Sequence, residues 1–129
     1  MAGPSSPSAR IVIVDDSEEF RALLRESLRD RRCDVVGEAA DGAEAVSLLT
    51  TLECDRVVMD YRMPVMNGLT ATAEILRRRP ALEIVAFTDS GDSAAAFLAA
   101  GAQAYFAKSD FRGLLAHLCR PLEGAAAPE

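Results

Sequence analysis

At 129 residues, half of them hydrophobic and 26% charged, the chain fits one domain that can bury a core without disulfide or metal staples. A net charge of −6 with no basic stripe makes direct contact with nucleic acid a poor reading, and no apolar run approaches the roughly 18 residues of a membrane helix. Cys33, Cys54 and Cys119 are odd in number and far apart in sequence, with no CxxC and a single His; this excludes a recognisable zinc or disulfide framework and fits three unpaired, buried thiols in a reducing, cytosolic compartment.

Residues 1–9 are small and Ser/Pro-rich and lack the apolar core of a signal peptide, so a disordered lead is expected there. Ile11-Val12-Ile13-Val14 is a continuous β-branched run of the kind a doubly buried parallel strand requires, and Asp15-Asp16-Ser17 ends it. Ser17 caps a helix whose first turn holds Glu18 and Glu19, and Phe20, Leu23, Leu24 and Leu28 form its apolar stripe. Val35 to Ala39 is a weaker strand, followed after Asp41-Gly42 by a helix over about 43–52 with Val46, Leu49 and Leu52 inward.

Asp55 to Asp60 is the third strand, apolar on both faces, and it delivers Asp60 at its C-terminal edge, where open α/β sheets bind ligands. A Pro64 and Asn67-Gly68 loop leads into a helix with Leu69, Ala73 and Leu76 at core spacing, ending in Arg77-Arg78-Arg79-Pro80 as a solvated C-terminus. Glu83 to Phe87 is a fourth strand, then Thr88-Asp89-Ser90-Gly91. An Ala-rich helix over about 93–100 stops at Gly101, Ala104 to Ala107 is a fifth strand ending at Lys108, and a last helix aligns Phe111, Leu114, Leu115, Leu118 and Leu122. His117 reads as a partly exposed helix residue. Residues 123–129 read as a flexible tail or the start of a linker.

Five βα repeats with short connections imply a parallel sheet with helices on both faces. Four of its strands end in polar groups: Asp15/Asp16, Asp60, Thr88 and Lys108. Carboxylates brought together repel unless a cation joins them, and a hard divalent ion such as Mg2+ (or Mn2+) suits such a set. A hydroxyl at Thr88 and the ammonium of Lys108, the only lysine among 14 basic residues, would complete a cradle for a phosphoryl group. Asp60 is then the nucleophile that forms an acyl phosphate.

Val14-Asp15-Asp16, Met59-Asp60-Tyr61-Arg62-Met63-Pro64 with Gly68, Phe87-Thr88 and Tyr105-Phe106-Ala107-Lys108 occur in order, and with them the chain resembles a response-regulator receiver domain of the CheY-like superfamily over residues 10–122. Glu38-Ala39-Ala40-Asp41-Gly42 and Ala100-Gly101-Ala102 further resemble its NarL/FixJ-type branch. The resemblance implies a flavodoxin-like (βα)5 fold with strand order 2-1-3-4-5. It implies that Asp60 accepts phosphate from a sensor histidine kinase or phosphotransfer protein. Asp16 and Asp60 would ligate the metal, with Asp15 acting through water and Arg62 through its backbone carbonyl. Thr88 and Lys108 would bind phosphoryl oxygens, Tyr105 would be the aromatic switch that moves with Thr88, and Arg62 and Ser90 would tune phosphate lifetime. Output would pass through the Ala-rich helix, the fifth strand and the last helix to a downstream protein or a second copy, in the cytoplasm and without turnover catalysis beyond self-phosphorylation from small donors and slow autodephosphorylation.

Two features depart from the family pattern: Ser109 stands where many receivers carry a cis proline after the lysine, and no helix-turn-helix domain follows. The alternatives are a receiver fragment of a NarL-type transcription factor lacking its DNA-binding domain, and a non-phosphorylated pseudo-receiver. An aspartyl-phosphate phosphatase of the haloacid-dehalogenase kind needs a second Asp two residues after the first; that position is Arg62.

Overall fold

The computed structural model describes residues 9–89 and 91–122. The expected strand segments become five strands: β1 (Arg10–Val14), β2 (Asp34–Ala39), β3 (Arg56–Met59), β4 (Glu83–Thr88) and β5 (Ala104–Ala107). All pairs are parallel, in the order β2-β1-β3-β4-β5. Strand order therefore reverses at β1 and β3, and the crevice beyond their C-terminal ends is the topological switch point of the sheet.

Alternation along each strand explains why both faces are covered. Ile11, Ile13, Val58, Val85 and Phe87 point to one side and pack with Leu24 and Leu28 of α1 (Glu18–Asp30) and with Leu114, Leu115 and Leu118 of α5 (Phe111–Leu118). Val12, Val14, Val57, Met59, Ile84 and Ala86 point to the other, where α2 (Gly42–Leu48), α3 (Gly68–Arg78) and α4 (Ala94–Ala99) supply Ala45, Ala71, Ile75 and Phe97. Such strands must be apolar at every position, which is how they read in the sequence.

Ser17 caps α1 as expected, accepting from the Phe20 N–H, and Asp41, Asn67 and Asp110, which the sequence did not mark as caps, accept likewise from the Glu44, Thr70 and Gly113 N–H groups. Gly101 stops α4 with φ +111°, the left-handed region that glycine enters freely.

Several details differ from the sequence reading. Leu23 is 51% exposed: the residues of α1 buried against the sheet are Leu24 and Leu28, and Leu23 lies outside that face. In α3 the buried face is Ala71, Thr72 and Ile75; Leu69 and Leu76 pack at its margin and Ala73 faces solvent. Helix α2 ends at Leu48, and α4 is shortened to six residues by a 3-10 turn over Gly91–Ser93. The basic triplet is only partly solvated: Arg79 donates to the Leu49 and Leu52 carbonyls at 3.2 and 2.8 Å, closing the carbonyl end of α2. The expected lead and tail lie outside the described residues, save Ala9, which is buried.

The N-terminal edge of the sheet carries a polar network. Arg56 is 2% exposed, donates to Glu83 Oε1 at 3.1 Å, and donates to the Leu118, Arg120 and Pro121 carbonyls at 2.6, 3.0 and 3.3 Å. Arg120 and His117 also reach Glu83, both at 2.9 Å, so His117 is a network member and not merely a helix surface residue. Burial raises the Glu83 pKa, but hydrogen bonds from Arg120, His117 and Arg56 outweigh it and hold the carboxyl below its ordinary value.

Arg56→Ala should cost about 3–5 kcal/mol in urea denaturation, because it removes a buried guanidinium that satisfies three carbonyls and takes one of three cationic partners from Glu83. The depressed Glu83 pKa stabilises the fold above the ordinary carboxylate pKa, a contribution lost as pH falls through the lower folded value. Acid titration of Glu83→Gln should show a flatter acid limb than wild type.

Candidate functional site

Asp15 and Asp16 follow β1, and Asp60 follows β3, its neighbour. Asp15 N–H donates to the Ala39 carbonyl at 3.1 Å and Asp60 N–H to the Val14 carbonyl at 3.0 Å, so the ladder carries both residues one step past their strands. Gly68 lets α3 begin against this edge: a Cβ there would stand 1.7 Å from the Asp60 carbonyl oxygen. Between them the loop makes a tight turn in which Met66 N–H donates to the Pro64 carbonyl at 2.7 Å with Val65 at φ +69°. A β-branched residue in that region is strained, and Val65 is also 83% exposed.

Carboxylate oxygens of Asp15, Asp16 and Asp60 lie within 4.8 Å of one another, with Asp15 and Asp60 buried and Asp16 exposed. Lys108, arriving from the end of β5, places Nζ 2.7 Å from Asp15 Oδ2 and 3.9 Å from Asp60 Oδ2. The ammonium also sits over the Phe20 ring, 3.9 Å from its centroid and 5.5 Å from that of Phe87, which stacks on Phe20. This aromatic floor holds the ammonium by cation–π attraction and keeps water from its lower side.

Each buried carboxylate has one oxygen tied down. Asp15 Oδ1 accepts from Ser17 N–H at 2.9 Å, and Asp60 Oδ1 from Tyr61 N–H at 2.8 Å. Arg21 braces the same corner, donating to the Asp15 carbonyl at 2.6 Å and to Glu38 at 3.1 Å. Burial, then the Asp15 charge, push Asp60 up to about 6, and Lys108 and the Tyr61 N–H only partly oppose them.

Of the other residues singled out in the sequence, Thr88 ends β4 and is buried. The Tyr105 hydroxyl on β5 donates to its carbonyl at 3.4 Å and Lys108 N–H donates to the same oxygen at 3.1 Å, so Thr88, Tyr105 and Lys108 are joined through one atom. Arg62 is exposed beside the acidic cluster in sequence, and Ser90 lies outside the described residues. No described peptide bond is cis, so Lys108–Ser109 is trans. Sequence reasoning took Phe20 for a core residue and passed over Arg21; an apolar stripe does not reveal which of its members meets an ammonium.

The donor set fits a hard divalent cation: three carboxylates converge, and one ammonium offsets only part of their charge.

A family model described as the response regulator receiver domain matches residues 11–118. The chain is similar to a protein-glutamate methylesterase/protein-glutamine glutaminase of Pseudoalteromonas atlantica, 44% identical over 55% of this chain and 19% of that protein. It is also similar to the transcriptional regulatory protein PdtaR of Mycobacterium tuberculosis, 36% identical over 84% of this chain and 56% of that one. Among solved structures it resembles the response regulator protein TrrA of Thermotoga maritima in complex with Mg2+-BeF, with a TM-score of 0.79 and 28% identity over 85% of this chain and 96% of that one. The chain thus spans about a fifth of the length of the methylesterases it matches. The similarity reaches the family and does not single out the NarL/FixJ-type branch.

Asp60→Asn should stabilise the metal-free protein at neutral pH by about 1–2 kcal/mol, since it removes a carboxylate whose ionised form the fold disfavours. With the folded pKa raised to about 6, that penalty is full above this value and relieved as pH falls through it. Denaturation midpoints of the two proteins should therefore converge between about pH 6 and 4; a constant gap there would contradict the assignment.

Proposed function

The chain belongs to the response regulator receiver domain family of two-component systems, and on that premise we propose that Asp60 is its phosphoacceptor. The observation that carries this reading is the pairing of a buried strand-end carboxylate with the one lysine of the chain. Asp60 Oδ1 is held by Tyr61 N–H, which leaves Oδ2 to face Lys108 at 3.9 Å. Oδ2 attacks the phosphorus of a phosphohistidine, the P–N bond breaks, and its electron pair stays on the imidazole nitrogen, which takes up a proton. The product is an acyl phosphate.

Asp15, Asp16 and Asp60, with the backbone carbonyl of Arg62, would hold Mg2+ (or Mn2+). When bound, the ion supplies neutralisation of the carboxylates and of the phosphoryl oxygens. Lys108 pairs with Asp15 and gains a stronger partner when a phosphoryl oxygen is added on Asp60, while the Thr88 hydroxyl takes another oxygen. Because Tyr105 O–H and Lys108 N–H share the Thr88 carbonyl, displacement of Thr88 is felt at β5, and Tyr105 is the switch residue. Arg62 and Ser90 tune how long the phosphate lasts.

The output surface is α4, β5 and α5, where Ala95, Ala96, Leu98 and Ala99 are exposed and leave room for a downstream protein or a second copy. The phosphodonor is a sensor histidine kinase or phosphotransfer protein in the cytoplasm, consistent with the absence, among the described residues, of a helix long and apolar enough to cross a membrane. Glu38 to Gly42 and Ala100 to Ala102 support a NarL/FixJ-type receiver, with residues 10–122 as the functional unit. Catalysis stops at self-phosphorylation from small donors and slow autodephosphorylation.

Incubation with acetyl phosphate and Mg2+ should add a single phosphoryl group, seen by intact mass, and Asp60→Asn should abolish it with the fold retained. Labelling that persists in that variant refutes the site, and steady turnover of small phosphate esters refutes the switch. Mg2+ alone should raise the melting midpoint in step with ligand linkage, about 2.7 kcal/mol at a hundredfold excess over Kd, and Asp16→Asn should remove most of that rise.

A further inference from the structure

The cysteines that look scattered in sequence are not scattered in space. Cys33 lies between α1 and β2, Cys119 follows α5, and 86 positions separate them, yet their Sγ atoms are 2.7 Å apart. Both are free thiols. Cys33 belongs to the apolar layer between the sheet and α1 and α5, and Cys119 packs against that layer; Cys54 lies in the layer on the opposite face.

The surroundings favour reaction over mere contact. The Arg56 guanidinium holds the chain on both sides of Cys119 through the Leu118 and Arg120 carbonyls, so Cys119 stays seated against Cys33. An open cleft of about 400 Å³, lined by Arg25, Arg29, Cys33, Asp34, Val35 and Val36, opens on the Cys33 side of the contact. Cys33 itself is only 7% exposed, whereas Cys119 is partly open to solvent.

We propose that Cys33 and Cys119 form a peroxide-responsive dithiol that closes into an intramolecular disulfide, stapling the α1–β2 junction to the C-terminal end of α5. Cys119, the more accessible thiol, reacts first. Cys119 gives up its proton, the thiolate attacks one peroxide oxygen, the O–O bond breaks, and the departing oxygen takes up that proton to leave as water (or an alcohol, from an organic peroxide) as Cys119 becomes a sulfenic acid. The Cys33 sulfur then attacks the Cys119 sulfur, the S–O bond breaks, and a second water departs with the Cys33 proton. In sum two thiols lose two electrons and two protons, and the peroxide is reduced. Burial and the contact with Cys119 push the Cys33 thiol up to about 12, so Cys33 is not the thiolate that opens the sequence. A disulfide of about 2.05 Å needs only a small closing of the present contact.

The test is peptide mapping of the full chain after hydrogen peroxide treatment and alkylation of the remaining thiols. The expected product is a Cys33–Cys119 link within one chain, with loss of two hydrogen atoms, reversal by dithiothreitol, and Cys54 recovered alkylated. Cys33→Ser and Cys119→Ser should each abolish it and Cys54→Ser should not. Should a variant fail to fold, the wild-type map still decides. A link through Cys54, a link only between two chains, or oxidation of Cys119 without any link overturns the proposal. Because the closed loop is long, oxidation should also raise the melting midpoint by several degrees; an unchanged or lower midpoint overturns the stapling.

Discussion

One ammonium set among three carboxylates is the constraint on which the working end of the molecule depends. Lys108 comes from a position 93 residues away from Asp15, and only the parallel sheet brings them together. The pairing is incomplete by construction. Nζ is 2.7 Å from Asp15 but 3.9 Å from Asp60, and Asp16 lies outside its reach in solvent. A guanidinium would bind one carboxylate in a fork and settle there, whereas an ammonium over an aromatic floor is a point charge that can change partners without leaving its seat. In a chain that otherwise uses arginine for its cations, this difference gives the lone lysine its physical meaning.

The two edges of the sheet are built on opposite principles. At the N-terminal edge Glu83 is met by Arg56, Arg120 and His117, and Arg56 also meets three carbonyls, so charge is more than answered. At the C-terminal edge negative charge is in excess, one oxygen of each buried carboxylate is committed to a backbone N–H, and Val65 stores backbone strain in the adjoining loop. Breaking either edge costs something different: structure at one, and a poised electrostatic imbalance at the other. The stable edge allows the other to remain unsatisfied, because the strands that deliver Asp60 and Thr88 are fixed from below.

Much of this was legible in the residues. Doubly apolar strands, capping oxygens and carboxylates at strand ends are local patterns with a short physical path to structure, so Ile11 to Val14, Ser17 and Asp60 announced their places. The misreadings share a cause. Leu23 and Ala73 sit at helical spacing but on the edge of a covered face whose width is set by neighbouring elements. Arg56 opens a strand and could as well have faced water; it is inward because α5 ends with its carbonyls above that position. The Cys33–Cys119 contact joins two element ends that no spacing rule connects.

Helix α5 brings these lines together. Asp110 caps its start two residues after Lys108, and Arg56 grips the carbonyls at its end, beside the cysteine pair. On the proposed function Lys108 changes partners, and a helix held at its C-terminus and attached at its N-terminus to that residue would respond by pivoting about the held end. Under the proposed function, such a pivot moves the α5 side of the output face while leaving the Arg56 network intact. A disulfide at the pivot would not block that motion but would fix its axis. On the two proposals the acidic edge and the thiol pair would act at opposite ends of one helix, distinguishable because only the first depends on Asp60.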